Sequence, residues 1–157
     1  MIALALVFGY VEHLIPFSVG IYGIKLGLAN LATVTVLYLF GGPLAIGVNF
    51  IRIILSSVLF GNVFSLAYSL CGGMLSALVM IALRRTGKLG ATGVSVCGGI
   101  THNIAQLAVA ILLVDNLKIA FYLPVLLGAG ALTGFIIGAV ALPIIRNKHI
   151  ISLCKRQ

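Results

Sequence analysis

Apolar residues run along this chain in long stretches, cut at intervals by Gly, Pro, Asn and charged positions. The stretches are continuous rather than alternating every second residue, so they read as helices and not as strands of a membrane barrel. Six are predicted. The first covers residues 2–15 and stops at Pro16, and a loop over 16–25 follows. The second covers 26–40 and ends at Gly41-Gly42. Pro43 suits the first turn of the third, over 43–60, because its missing N–H costs nothing there. Gly61-Asn62 makes the next turn. The fourth covers 64–83 and runs into Arg84, Arg85 and Lys88. The fifth covers 91–114, and Asp115-Asn116 turns the chain. The sixth covers 119–145, expected to bend near Pro124, with a basic tail behind it.

Composition sharpens this picture. Of 157 residues 62% are apolar and 8% charged, and the mean hydropathy is +1.27. A soluble domain carries about a quarter charged residues, so this exterior is expected to face lipid. A helix needs about 20 residues to cross the hydrocarbon, which gives room for roughly six spans. The expectation is an all-α, polytopic integral membrane protein, a compact bundle of six transmembrane helices forming one domain over 1–157. The first apolar run does not read as a signal peptide, since no basic stretch precedes it.

Charge sets the orientation. The net charge of +8 lies mostly in two clusters beside apolar runs, which points to a membrane surface and away from nucleic acid. Six spans put Arg84, Arg85, Lys88, Arg146, Lys148, Lys155 and Arg156 on one side, with Lys25 and Lys118 on the other and Arg52 inside the third span. The positive-inside rule then puts both termini in the cytoplasm, across the cell membrane. Cys71, Cys97 and Cys154 form no CxxC pair, so neither a disulfide nor a metal site is expected.

Ionisable and amide side chains at bilayer depth are costly, and so are candidates for function. Glu12, Lys25, Asn30, Arg52, His102, Asn103 and Gln106 fall in the central and outer layers, and the cytoplasmic half has few counterparts; His13, in the outer half of the first span, and Asn49, below Arg52, have weaker claims. This suggests a polar cavity opening outward. Gln106 shares a helix face with His102. Glu12 and Arg52 either neutralise each other or serve a ligand. Lys25 either snorkels to the interface or reaches a ligand. Tyr22, Tyr68 and Tyr122 lie toward the same side as ring-stacking candidates or interfacial anchors.

Signatures of chemistry are missing. There is no P-loop, no GxSxG, no HExxH, and Asp115 is the single Asp. A Mg²⁺-dependent diphosphate reaction needs several oxygen ligands, so no catalytic residue, cofactor or metal is expected. Small residues at four-residue spacing do recur: Gly130, Gly134 and Gly138; Ser69, Gly73 and Ala77; Ala5 and Gly9. They allow close helix approach, expected within the chain for the fourth and sixth spans.

Residues 23–30 (GIKLGLAN), residues 97–106 (CGGITHNIAQ) and Arg52 together resemble the Gx transporter family over nearly the whole chain. Members are often labelled heptaprenyl diphosphate synthase component I, a label at odds with the missing aspartates. The family is similar to substrate-binding S components of energy-coupling factor (ECF) transporters. The resemblance implies a six-helix, S-component-like binder of a small molecule. It also implies two kinds of partner, a coupling transmembrane protein and two cytoplasmic ATPases. Substrate-binding positions carried over by it are Glu12, Lys25, Asn30, Arg52, His102, Asn103 and Gln106. Ala5 and Gly9 resemble the small residues with which S components meet the coupling protein, with Gly where an AxxxA pattern has Ala. Other readings are a non-transporting membrane subunit of an isoprenoid, quinone or flavin-linked electron-transfer system, or a scaffold for a heptaprenyl diphosphate synthase.

Overall fold

A computed structural model describes residues 6, 7, 10, 28–61, 63–147 and 152. Over these the protein folds as helices α1 (Leu28–Phe40), α2 (Gly42–Phe60), α3 (Val63–Thr86), α4 (Ala91–Val114) and α5 (Leu123–Arg146), with a 3-10 turn at Leu117–Tyr122. No strand occurs among the described residues. Gly42–Phe60, Val63–Thr86, Ala91–Val114 and Leu117–Arg146 are each long and apolar enough to cross a membrane. The 13 described residues of α1 cover about 20 Å at 1.5 Å each, and residues 26 and 27 of the second predicted span lie outside the described residues. The first predicted span lies outside the described residues, apart from the helical Leu6, Val7 and Tyr10. Tyr10 packs on Phe60 at the end of α2, with ring centroids 5.1 Å apart and planes tilted by 44°.

The breaks follow local chemistry. Gly41 takes φ +98°, a value side-chain-bearing residues rarely adopt, and Pro43 sits in the first turn of α2 as expected. Asp115 closes α4 in the left-handed region at φ +50°, and the Asn116 side chain accepts from the Lys118 amide at 3.0 Å. Beside Pro124, where a bend is expected, the backbone changes from 3-10 to α geometry. The chain makes the 3-10 turn and then starts α5 afresh at Leu123, with Pro124 in its first turn. Proline has no N–H to give but fits where none is needed, as in the first turn of a helix.

All seven positions 31–37 of α1 are buried, nearly two full turns, so α1 is enclosed on every side. Its Leu31, Val34, Val36 and Leu37 pack with Ala45 of α2, Met80 of α3, Val94 of α4, and Ile137 and Ala141 of α5. Arg84 of α3 caps this central helix. Its guanidinium donates to the carbonyls of Leu37 and Tyr38, the latter at 3.3 Å, and lies 5.0 Å from the centre of the Tyr38 ring. A cation there answers both the carbonyls of the last turn and the negative end of the helix dipole.

Glycine brings the outer helices together. On α5 a methyl group at Gly130 would lie 2.7 Å from the Gly99 carbonyl oxygen, at Gly134 2.6 Å from that of Ser95, and at Gly138 2.6 Å from Thr92 Cα. The three-glycine stripe is therefore spent within the chain, on α4, as expected. Gly98 turns the other way, toward Met80 and Ser76 of α3, and Ser76 Oγ donates to its carbonyl at 2.8 Å.

Candidate functional site

Asn49 is the hub of the polar interior. Its Nδ2 donates to the Gly73 carbonyl of α3 at 2.9 Å. Its Oδ1 accepts from Thr33 Oγ1 of α1 at 3.3 Å and from Arg52 Nη2 at 2.7 Å. One buried amide thus ties three helices and steers the guanidinium of Arg52, which is half-buried. Gly73 is Gly for a reason: a methyl there would fall 2.5 Å from Ile53 Cδ1 and 3.2 Å from Asn49 Nδ2. Its neighbour Gly72 faces α4, where a methyl would fall 2.8 Å from Gln106 Cγ and 3.1 Å from His102 Nδ1. The adjacent glycines therefore hold the Arg52 environment on one side of α3 and the His102–Gln106 face on the other.

Helix register sets the heights. In an antiparallel pair, each step forward on one helix matches one step back on its partner. Thr33 meets Asn49, so Asn30, three residues before Thr33, comes level with Arg52, three after Asn49. Arg52 adjoins Ile53, which packs on Gly73, and His102 packs on Gly72. Asn30, Arg52 and His102 therefore share one layer near the middle of the bundle, with Gln106 one turn farther from the Arg84 end. Ala45 is in the apolar core seven residues before Arg52, about 10 Å along α2. A dry apolar layer thus closes the Arg84 side of the polar one.

Not every sequence-predicted residue joins this layer's polar face. Asn103 turns to α5, where its Nδ2 donates to the Leu126 carbonyl at 2.7 Å and rests against Gly130. It ties α4 to α5, while its neighbour His102 faces α3. Glu12 and Lys25, with Ala5 and Gly9, His13 and Tyr22, lie outside the described residues. Tyr68 is half-buried on α3, and Tyr122 is exposed at the end of the 3-10 turn. Lys118 is exposed beside it. Sequence reasoning gave Asn49 too little weight and passed over Thr33 and Gly72. The signal was the Asn49–Arg52 spacing, one helical turn, combined with a Gly-Gly pair on the next helix.

No group of three His, Cys, Asp or Glu side chains that would suit a metal ion occurs among the described residues. Asp115 is exposed and lies 13 residues beyond His102, about 20 Å along the helix axis, well away from the polar layer.

Long apolar helices packed through glycine, with an amide–guanidinium layer at mid-depth, define a polytopic helical membrane protein. The chain belongs to the heptaprenyl diphosphate synthase component I family, also called the Gx transporter family, whose model matches residues 1–143. No curated protein and no solved structure matches the chain.

Proposed function

We infer that this chain is a six-span, single-domain binding subunit for a small polar or anionic molecule, working as the S component of an ECF-type transporter. The observation that carries the reading is the shared layer of Asn30, Arg52 and His102, backed by an apolar layer on the Arg84 side. An arginine held at membrane depth must meet a carboxylate, carbonyls, water or an anionic ligand. Here one amide takes up part of its fork and orients the rest. Glu12 and Lys25 complete the charge pattern of the site, and Gln106 extends it outward. Asn103 serves it by holding α4 on α5. The cargo enters from the side opposite Arg84, Arg85 and Lys88, which face the cytoplasm with both termini. Without a nucleotide site of its own, the subunit relies on a coupling transmembrane protein and two ATPases for energy, and it docks through Ala5 and Gly9. It performs no catalysis itself.

The family's description as a synthase component favours a second reading, a membrane scaffold for a separate prenyl synthase. Purification in mild detergent separates the two. The transporter reading expects one complex with the coupling protein and ATPases, weakened when Ala5 or Gly9 becomes Leu. Recovery with a prenyl synthase and without ATPases contradicts it.

A further inference from the structure

Ser56 of α2 is half-buried, and its Oγ is enclosed without a hydrogen-bond partner among the described residues. Helical hydroxyls usually fold back onto the carbonyl one turn earlier. Thr35 does so to Leu31 at 2.7 Å and Thr101 to Cys97 at 2.8 Å. Ser56 does not, although in a membrane interior no bulk water stands in for the missing partner.

Its placement is specific. Ser56 lies seven residues beyond Asn49, nearly two full turns, so both project from the same side of α2. That side is the inner one, since Asn49 meets Thr33 of the central helix and Gly73 of α3. Ser56 also lies one turn, about 6 Å, beyond Arg52 on the same stripe. By the α1–α2 register, Ser56 lies about two residues outward of the level of Leu28, the first described residue of the central helix, and α2, α3 and α4 all continue past that level. On α4 the nearest polar group to that level is the amide of Gln106, which packs on Gly72.

We propose that Ser56 contacts the cargo, its Oγ holding an uncharged hydroxyl, amide or carbonyl group about 6 Å from the polar or anionic head that sits at the Arg52 layer. The inference rests on the binding-subunit reading and narrows it. The cargo carries a head for Arg52 and, one helical turn away, a neutral hydrogen-bonding group for Ser56. A bare inorganic anion lacks the second feature. The unsatisfied hydroxyl is costly to the ligand-free protein and is matched when the cargo binds.

The test uses the full chain in lipid nanodiscs, where native mass spectrometry compares the small molecule retained by the unmodified chain, Ser56→Ala and Arg52→Gln. Ser56→Ala should retain about five- to tenfold less, the worth of one hydrogen bond, with an unfolding temperature equal to or above the parent's. A lower unfolding temperature for Ser56→Ala makes the side chain a packing element and overturns the proposal. Full retention by Ser56→Ala with loss in Arg52→Gln also overturns it while sparing the site. Full retention by both, or no retained molecule in any of the three, removes the site and the inference together.

Discussion

Replacing Asn49 with Ala tests whether the polar layer is organised as described. The side chain is 1% exposed, and its loss strands three groups at once: the Thr33 hydroxyl, one N–H of Arg52 and the lone pair of the Gly73 carbonyl that Nδ2 engages. Hydrogen bonds between membrane helices average about 0.6 kcal/mol and reach about 1.7, and those to a charged group are worth about 1.5–3 kcal/mol. Two neutral bonds and one charged bond sum to roughly 3 kcal/mol at the low end. The low end applies because the Thr33 bond is long, at 3.3 Å. Thr33→Val is the internal standard, since it removes only that long bond and should cost less than about 1 kcal/mol. Equilibrium unfolding of both variants in mixed detergent–SDS micelles gives the comparison. Ligand retention should fall as well in Asn49→Ala, because Arg52 loses the group that aims it. If Asn49→Ala costs no more than Thr33→Val, the hub is not holding the layer and the reasoning fails.

Other expectations follow from the packing. Gly134→Val puts its branch where a first methyl already meets the Ser95 carbonyl at 2.6 Å, and should lower stability by at least about 3 kcal/mol. Gly128→Ala, with nothing within 4 Å, should be neutral or stabilise by about 0.5–1 kcal/mol; the same unfolding assay reads both. Arg84→Gln removes the charged cap of α1 and should cost about 1–2 kcal/mol, with Arg84→Lys intermediate. In a background free of native cysteines, Thr86→Cys and Lys118→Cys, both exposed, should label from opposite sides of the membrane, Thr86 from the cytoplasm. Labelling of both from one side contradicts the proposed topology.

Helix limits were legible because the punctuation is chemical. Gly41, Pro43, Gly61 and the Asp115-Asn116 pair each do locally what their backbone preferences dictate. The stripe of Gly130, Gly134 and Gly138 was legible too, since four-residue spacing fixes a face whatever its partner. Registers between helices were not. His102 and Asn103 are neighbours in sequence, but one residue of helix turns a side chain by about 100°, and only the positions of α3 and α5 decide that His102 meets Gly72 while Asn103 meets Leu126. Asn49 looked minor for the same reason. Its importance comes from Thr33 and Gly73, which lie 16 and 24 residues away in the chain. Arg84 was read as one charge among several at the interface, and its place on the end of α1 depends on a contact 47 residues distant. Pro124 was legible as a point of change but not as a helix start, because a proline inside an apolar run and a proline beginning a new helix look alike until the preceding turn is seen.

The central claim is that the layer of Asn30, Arg52 and His102 holds a small molecule. Native mass spectrometry of the purified chain beside Arg52→Gln, with both unfolding temperatures recorded, tests it most directly. The account predicts that the unmodified chain carries a bound small molecule, and that Arg52→Gln loses it while unfolding within a few degrees of the parent. An Arg52→Gln protein that keeps the molecule at full occupancy would contradict the account. So would one that unfolds far below the parent and is rescued by Glu12→Gln, because the arginine would then be half of a structural ion pair and not a binding group.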